Sequence, residues 1–219
     1  VLAEEAAARG AWLVHYSTDY VFDGSKEGAY VEDDPTNPLS VYGRTKCEGE
    51  ARIRAAGAHH LILRTSWVFA AHGGNFATAM LRLAKERDSL NVIADQHGAP
   101  TGARLVADAT ASALRSLREA GPKARGLSGT YHLAAAGATT WHGYAQYVLA
   151  QALARGAALR VTPQTVLPIA AEAWPAAAAR PANSRLDTRL FETTFGVSMP
   201  DWRHHVDRLM TELARQGLL

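Results

Sequence analysis

The chain has 219 residues, 47% of them hydrophobic and 20% charged, the balance of a folded globular protein long enough for one domain or two small ones. Lys and Arg number 23 against 21 Asp and Glu, and a formal charge of +2 is too even for a nucleic-acid binder. The single cysteine, Cys47, excludes an internal disulfide and a multi-cysteine metal site and points to a reducing, cytoplasmic compartment. No apolar run reaches the roughly 20 residues of a membrane span, and the N-terminus lacks the basic and apolar regions of a signal peptide.

Residues 1–10, rich in Ala and Glu and stopped by Gly10, read as a helix that is already running at residue 1. Ala11 to Tyr16 is a short apolar run of β formers and predicts a buried strand. Ser17 to Pro38 reads as a loop, broken by Gly24, Gly28, Pro35 and Pro38. A helix is expected from Ser40 to Ala56, closed by Gly57, and a second buried strand from His60 to Thr65. Asn75 to Arg87 is expected to be helical, with Phe76, Met80, Leu81 and Leu83 on one stripe. Next come a strand at Asn91 to Ile93, a helix from Leu105 to Ala120 and a strand from Thr130 to Leu133.

Alternating helix and strand is the pattern of a parallel α/β sheet. From Thr139 the texture changes. Thr139 or Thr140 caps a helix running to about Ala154, Arg160 to Val166 reads as a strand, and 167–185 reads as a loop or mobile flap with three prolines and the run Ala176 to Ala179. Helices at Asp187 to Phe195 and Asp201 to Gln216 close the chain. The expected division is 1–138, part of a dinucleotide-binding domain, and 139–219, a small mixed substrate-binding subdomain.

Tyr42 and Lys46 lie four residues apart on the helix from Ser40, hence on one face. An ammonium beside a phenol favours the phenolate, which makes the phenol a usable proton donor near neutral pH. Such pairs also arise on solvated helix faces. The context upstream is Ser17-Thr18-Asp19-Tyr20-Val21-Phe22-Asp23-Gly24, at the end of the first strand. Carboxyl ends of parallel strands face the ligand crevice, and a hydroxyl there, Thr18, can hydrogen-bond a carbonyl oxygen as charge develops on it.

Together with Tyr42-Gly43-Arg44-Thr45-Lys46 and Arg64-Thr65-Ser66-Trp67-Val68-Phe69, this stretch resembles the extended short-chain dehydrogenase/reductases, and within them the dTDP-4-dehydrorhamnose reductases. Gly74-Asn75-Phe76, Asp95-Gln96-His97-Gly98-Ala99-Pro100-Thr101, Arg180-Pro181-Ala182-Asn183-Ser184-Arg185-Leu186-Asp187 and Pro200-Asp201-Trp202-Arg203 agree with it. The resemblance implies a Rossmann-like fold and reduction of the 4-keto group of dTDP-4-dehydro-L-rhamnose with hydride from NADPH or NADH. It implies Tyr42 as proton donor, Lys46 as the cation that tunes it and binds the nicotinamide ribose, and Thr18 on the carbonyl oxygen. Ser17, Thr65 and Ser66 would line the cofactor, and Tyr20 and Trp67 the sugar. Arg180 and Asn183 would reach the nucleotide diphosphate, a role that suits a guanidinium. Tyr20 and Trp67 read equally well as core aromatics, and Arg180 as an exposed loop residue. Some members use Mg²⁺, for which Glu172 and Glu192 are available carboxylates without an assigned ligand set. The nine histidines show no metal-binding spacing.

The sequence departs from the family pattern in one respect. It contains no Gly-x-x-Gly-x-x-Gly turn to bring backbone N–H groups to a pyrophosphate, and Gly73-Gly74 falls after the second strand. The chain is therefore expected to be the C-terminal portion of a reductase, with residue 1 in the helix before the strand that ends at Thr18. An exposed sheet edge at the first strand should then pair with another copy or with a missing half. Alone, the chain is expected to bind NADPH poorly. A dehydratase of the same superfamily would carry Glu after Asp19, where this chain has Tyr20. A non-catalytic subunit resembling the β subunit of methionine adenosyltransferase is the alternative of a different class.

Overall fold

The computed structural model describes residues 1–174 and 178–219. Helix α1 (Leu2–Ala8) leads through Gly10, at φ +62°, into strand β1 (Leu13–Thr18), which ends in a 3-10 turn at Asp19–Val21. Helix α2 (Val41–Ala55) starts where the Ser40 hydroxyl accepts from Gly43 N at 3.0 Å, satisfying one of the orphan N–H groups of the first turn. Strands β2 (His60–Thr65) and β3 (Val68–Phe69) precede α3 (Phe76–Glu86), which opens on a reciprocal capping box between Asn75 and Thr78. The middle of the chain holds β4 (Leu90–Ile93), β5 (His97–Gly98), β6 (Thr101–Gly102), α4 (Ala103–Ala120) and β7 (Gly129–His132). Then come β8 (Thr139–Thr140), α5 (Trp141–Leu153) capped by Thr140, β9 (Val166–Ile169), α6 (Arg189–Phe195) and α7 (Trp202–Arg215).

The strand expected at Arg160 to Val166 begins only at Val166. Pro163 has no N–H to give a ladder, and Thr162 and Thr165 satisfy each other's backbone in a capping box around a 3-10 turn at Pro163–Thr165. Local bonding thus removes the segment from the sheet and moves the strand into what read as flap. Residues 175–177 of that expected flap lie outside the described residues.

The chain forms two compact units that interleave along the sequence. The first comprises Val1–Ser66, Val106–Ala134 and Ala178–Met199. Its sheet is parallel, in the order β1-β2-β7, with Thr18 opposite Thr65 and Arg64 opposite His132. Leu61, Ile62 and Leu63 of the central strand are all fully buried, as expected of a parallel strand covered on both faces. β1 pairs on one side only and is the edge of this sheet.

The second unit comprises Trp67–Leu105, the described part of 135–177, and Pro200–Leu219. Helices α3, α5 and α7 enclose its core of Ala77, Leu81, Tyr144, Val148, Leu149, Trp202, Val206 and Met210. β3-β6 and β4-β9 are parallel pairs, and β5-β8 is antiparallel. Among the described residues no helix is long and apolar enough to cross a membrane.

Candidate active site

Thr18, the last residue of β1, carries its hydroxyl to the carboxyl end of the parallel sheet. That hydroxyl accepts from Tyr20 N at 3.2 Å and donates to Asp19 Oδ1 at 2.9 Å. Asp19 Oδ2 accepts from Ser66 Oγ at 3.2 Å. Burial pushes the Asp19 carboxyl up to about 6, and hydrogen bonds from Ser184, Thr18 and Ser66 keep it from rising further.

Helix α2 lies against this strand end because Gly43 permits it. A Cβ at Gly43 would stand 2.2 Å from the Tyr20 carbonyl oxygen and 2.9 Å from Pro38 Cβ, so only glycine lets the first turn of α2 approach the Asp19–Val21 backbone. The approach brings the Tyr42 ring edge-on to Tyr20, with centroids 5.9 Å apart. Tyr42 is 53% exposed and presents its phenol to solvent. One turn later, Lys46 reaches back to β1 and donates from Nζ to the Tyr16 carbonyl oxygen at 2.5 Å. Thr18, Tyr20, Tyr42 and Lys46 are thus tied to one strand end, by the Asp19–Val21 turn and by the Tyr16 carbonyl. Burial and next the Asp19 carboxylate push the Tyr20 phenol up, and the Arg180 guanidinium partly offsets them.

The remaining expected residues divide. Thr65, opposite Thr18 in the ladder, has a buried Oγ1 with no hydrogen-bond partner. Ser66 is committed to Asp19. Ser17 donates to Glu50 Oε1 at 2.5 Å, so its hydroxyl ties β1 to α2. Asn183 is a clamp: Nδ2 donates to the carbonyl oxygens of Lys26 and Gly28 at 2.6 and 2.8 Å, and Oδ1 accepts from Arg185 N and Nε at 3.1 and 2.8 Å. Each donor and acceptor of its amide is engaged inside the protein, which leaves none for a diphosphate. Arg180 is exposed. Trp67 belongs to the second unit, where its ring stacks on Trp141 at 3.6 Å. It holds φ at +47°, a backbone that a bulky residue adopts only where its packing imposes it.

Three features were not anticipated from sequence. Asp19 has no role assigned to it in the sequence, and the structure buries it beside the site, directly after a strand-end hydroxyl. Gly43 stands in the first turn of a helix, where it costs roughly 1 kcal/mol against Ala, and that cost is the sequence signal of a close approach. The third is an ion pair beneath the sheet. Glu50, fully buried, accepts from Arg64 Nε at 3.0 Å and Nη2 at 2.7 Å. Arg64 Nη1 donates to the Glu32 carbonyl oxygen at 3.1 Å, and its guanidinium lies 5.0 Å from the Phe22 ring centroid.

Among the described residues no group of three or more His, Cys, Asp or Glu side chains could hold a metal ion. Glu192 accepts from Thr188 Oγ1 at 2.7 Å, and Glu172 lies in a 3-10 turn at Ala171–Ala173.

A parallel sheet with a hydroxyl at one strand's carboxyl end, and Tyr-x-x-x-Lys on the helix seated against it, defines an oxidoreductase of the extended short-chain dehydrogenase/reductase class. The family model described as RmlD substrate binding domain matches residues 1–215, and the chain belongs to the dTDP-4-dehydrorhamnose reductase family. It is 49% identical over 212 residues to dTDP-4-dehydrorhamnose reductase of Salmonella typhimurium, covering 97% of this chain and 69% of that protein. To the reductase of Burkholderia thailandensis it is 44% identical over 216 residues, covering 99% of this chain and 72% of that one. The crystal structure of dTDP-4-dehydrorhamnose reductase from Bacillus anthracis in complex with NADP superposes with a TM-score of 0.80 at 33% identity, covering 96% of this chain and 70% of that one.

Proposed function

We propose that the protein reduces the 4-keto group of dTDP-4-dehydro-L-rhamnose to the alcohol of dTDP-L-rhamnose in the cytoplasm, with NADPH or NADH as reductant. The observation that carries this reading is the seating of α2 on the turn after β1, which holds a phenol, an ammonium and a hydroxyl at one strand end. When bound, the nicotinamide supplies hydride to the carbonyl carbon. Every other requirement falls to side chains of this chain. As negative charge builds on the carbonyl oxygen, the Tyr42 phenol delivers a proton to it. Thr18 donates a hydrogen bond to the same oxygen, for which its hydroxyl turns from Asp19 Oδ1. Lys46, fixed by the Tyr16 carbonyl, keeps a positive charge one helical turn from the phenol and offers its remaining N–H groups to the cofactor ribose. The unpartnered hydroxyl of Thr65 is available to a polar group of the nicotinamide.

For the substrate, Tyr20 offers an aromatic face to an apolar face of the deoxysugar, and Arg180 a guanidinium to the diphosphate. The open edge of β1 is where a further strand or a second copy would pair. The test is NADPH consumption on dTDP-4-dehydrorhamnose by the protein expressed from its complete reading frame. Tyr42→Phe should lower kcat by roughly 100- to 10,000-fold with cofactor binding retained. Near-normal turnover in that variant would remove Tyr42 from the chemistry.

A further inference from the structure

A threonine hydroxyl has one proton to give and two lone pairs to receive. At Thr18 one lone pair accepts from Tyr20 N at 3.2 Å, and the proton is given to Asp19 Oδ1 at 2.9 Å. A ketone oxygen arriving at this hydroxyl therefore meets the second lone pair, and two acceptors repel. Thr18 can serve that oxygen only when Asp19 no longer takes its proton.

Asp19 is fixed where it stands. It is 3% exposed, its Oδ2 accepts from Ser66 Oγ at 3.2 Å, and Ser184 donates to the same carboxyl. Ser66 follows the end of β2. Ser184 comes from the segment that Asn183 ties to the carbonyl oxygens of Lys26 and Gly28. Two hydroxyls from separate parts of the first unit thus hold one carboxyl beside Thr18. The titratable groups around the turn are Tyr20 next to Asp19, Tyr42 and Lys46 on α2, and Arg180, whose guanidinium acts on the Tyr20 phenol. On β2, Arg64 is committed to Glu50. What sets Asp19 itself is burial first, which raises it to about 6, opposed by the hydroxyls of Ser184, Thr18 and Ser66.

We propose that Asp19 is a positioning residue for the ketone reduction: as a carboxylic acid it donates from Oδ1 to Thr18 Oγ1 and frees the Thr18 proton for the ketone oxygen, and as a carboxylate it withholds that proton. This role rests on the reductase reading above. In the acid state Thr18 accepts from Tyr20 N and from Asp19 and donates to the ketone, so its hydroxyl is fully used. Asp19 keeps its own proton throughout, and the proton that the product retains still comes from Tyr42. Negative charge developing on the ketone oxygen also favours the acid, since a buried carboxylate nearby would repel it.

The test is the pH profile of kcat for the protein expressed from its complete reading frame, on dTDP-4-dehydrorhamnose with saturating NADPH, alongside a ¹³C NMR titration of the Asp19 carboxyl. Wild-type kcat should fall as pH rises through the apparent pKa of Asp19. Ser184→Ala removes a hydrogen bond that favours the carboxylate, so the kcat inflection and the carboxyl titration should both move up by about one pH unit. Ser66→Ala should do the same, and it serves where Ser184→Ala does not fold. A purely structural serine would instead lower stability, or kcat evenly at every pH. Thr18→Val should lose roughly 100-fold in kcat, and the Asp19-linked inflection with it. A wild type without turnover would overturn the reductase reading and this role with it. Turnover with an inflection that stays in place in both folded serine variants, or that persists in Thr18→Val, would overturn this role alone.

Discussion

Gly43 and the carbonyl of Tyr20 are in such close approach that a methyl group on Gly43 would lie 2.2 Å from the Tyr20 oxygen. In an ordinary helix Gly→Ala stabilises by roughly 1 kcal/mol. Here the methyl meets backbone on one side and Pro38 Cβ at 2.9 Å on the other, so neither neighbour can turn aside. Overpacking of this kind costs roughly 1–3 kcal/mol and exceeds the helix gain. Gly43→Ala is expected to destabilise the protein by about 2 kcal/mol in denaturant unfolding. It should also lower kcat, because Tyr42 rides on the displaced turn. A variant more stable than the wild type would show that α2 yields without cost.

Asp19 makes stability depend on pH in an unusual direction. Its folded-state pKa is raised from 3.8 to about 6, so the native state prefers the protonated acid. The stability this contributes is fully present below the unfolded value and is lost as pH rises to about 6. Asn keeps the shape and can donate to Ser66 Oγ while accepting from Thr18. The gain in stability of Asp19→Asn over the wild type should therefore grow by about 3 kcal/mol between about pH 4 and about pH 7. Urea titrations at several pH values measure it, and a difference flat across that range would mean that Asp19 is not desolvated.

The Glu50–Arg64 pair is almost wholly removed from water, at 0% and 3% side-chain exposure. Burial works against the Glu50 carboxylate, yet the hydrogen bonds and charge of Arg64 outweigh it and hold the group below the usual carboxylate range. Breaking such a pair leaves a buried cation uncompensated, at roughly 3–5 kcal/mol. Glu50→Gln should lose that much in calorimetric or denaturant unfolding. Glu50→Gln combined with Arg64→Met should recover most of it, since replacing both charges removes the uncompensated one. Equal losses in the single and double variants would refute the pairing argument.

The pattern of elements was legible because each rests on local chemistry: an apolar run for β2, a Ser40 cap for α2, an Asn75 cap for α3. The interleaving of two units was not. It depends on which strands pair across long separations, as β4 with β9 and β7 with β2, and periodicity carries no record of that. The same holds within the site. Tyr42 and Lys46 declare themselves by spacing, whereas the burial of Asp19 and the engagement of Ser17 by Glu50 arise only once α2 packs on the sheet. Asn183 shows the limit most clearly, since a polar residue in a Pro-bounded loop reads as a ligand contact until its hydrogen bonds are traced.

Those bonds lead to a last prediction. The Asn183 side chain bridges the carbonyls of Lys26 and Gly28 to the backbone of Arg185, and it is 6% exposed. Gly24 makes the contact between these segments possible: at φ +80° its Cα lies so near the Ala182 backbone that a Cβ would stand 2.6 Å from Ala182 N. Asn183→Ala takes a partner from the half-buried Lys26 carbonyl, the exposed Gly28 carbonyl and the Arg185 N–H, and should cost about 1–2 kcal/mol in stability. Amide exchange should quicken in both joined segments, residues 24–30 and 181–187, because each has lost its anchor. A residue that touched substrate directly would behave differently, raising KM while leaving stability and exchange unchanged. Measuring exchange and KM on the same variant therefore decides between a clamp and a ligand contact, and the completed hydrogen-bond set of Asn183 predicts the clamp.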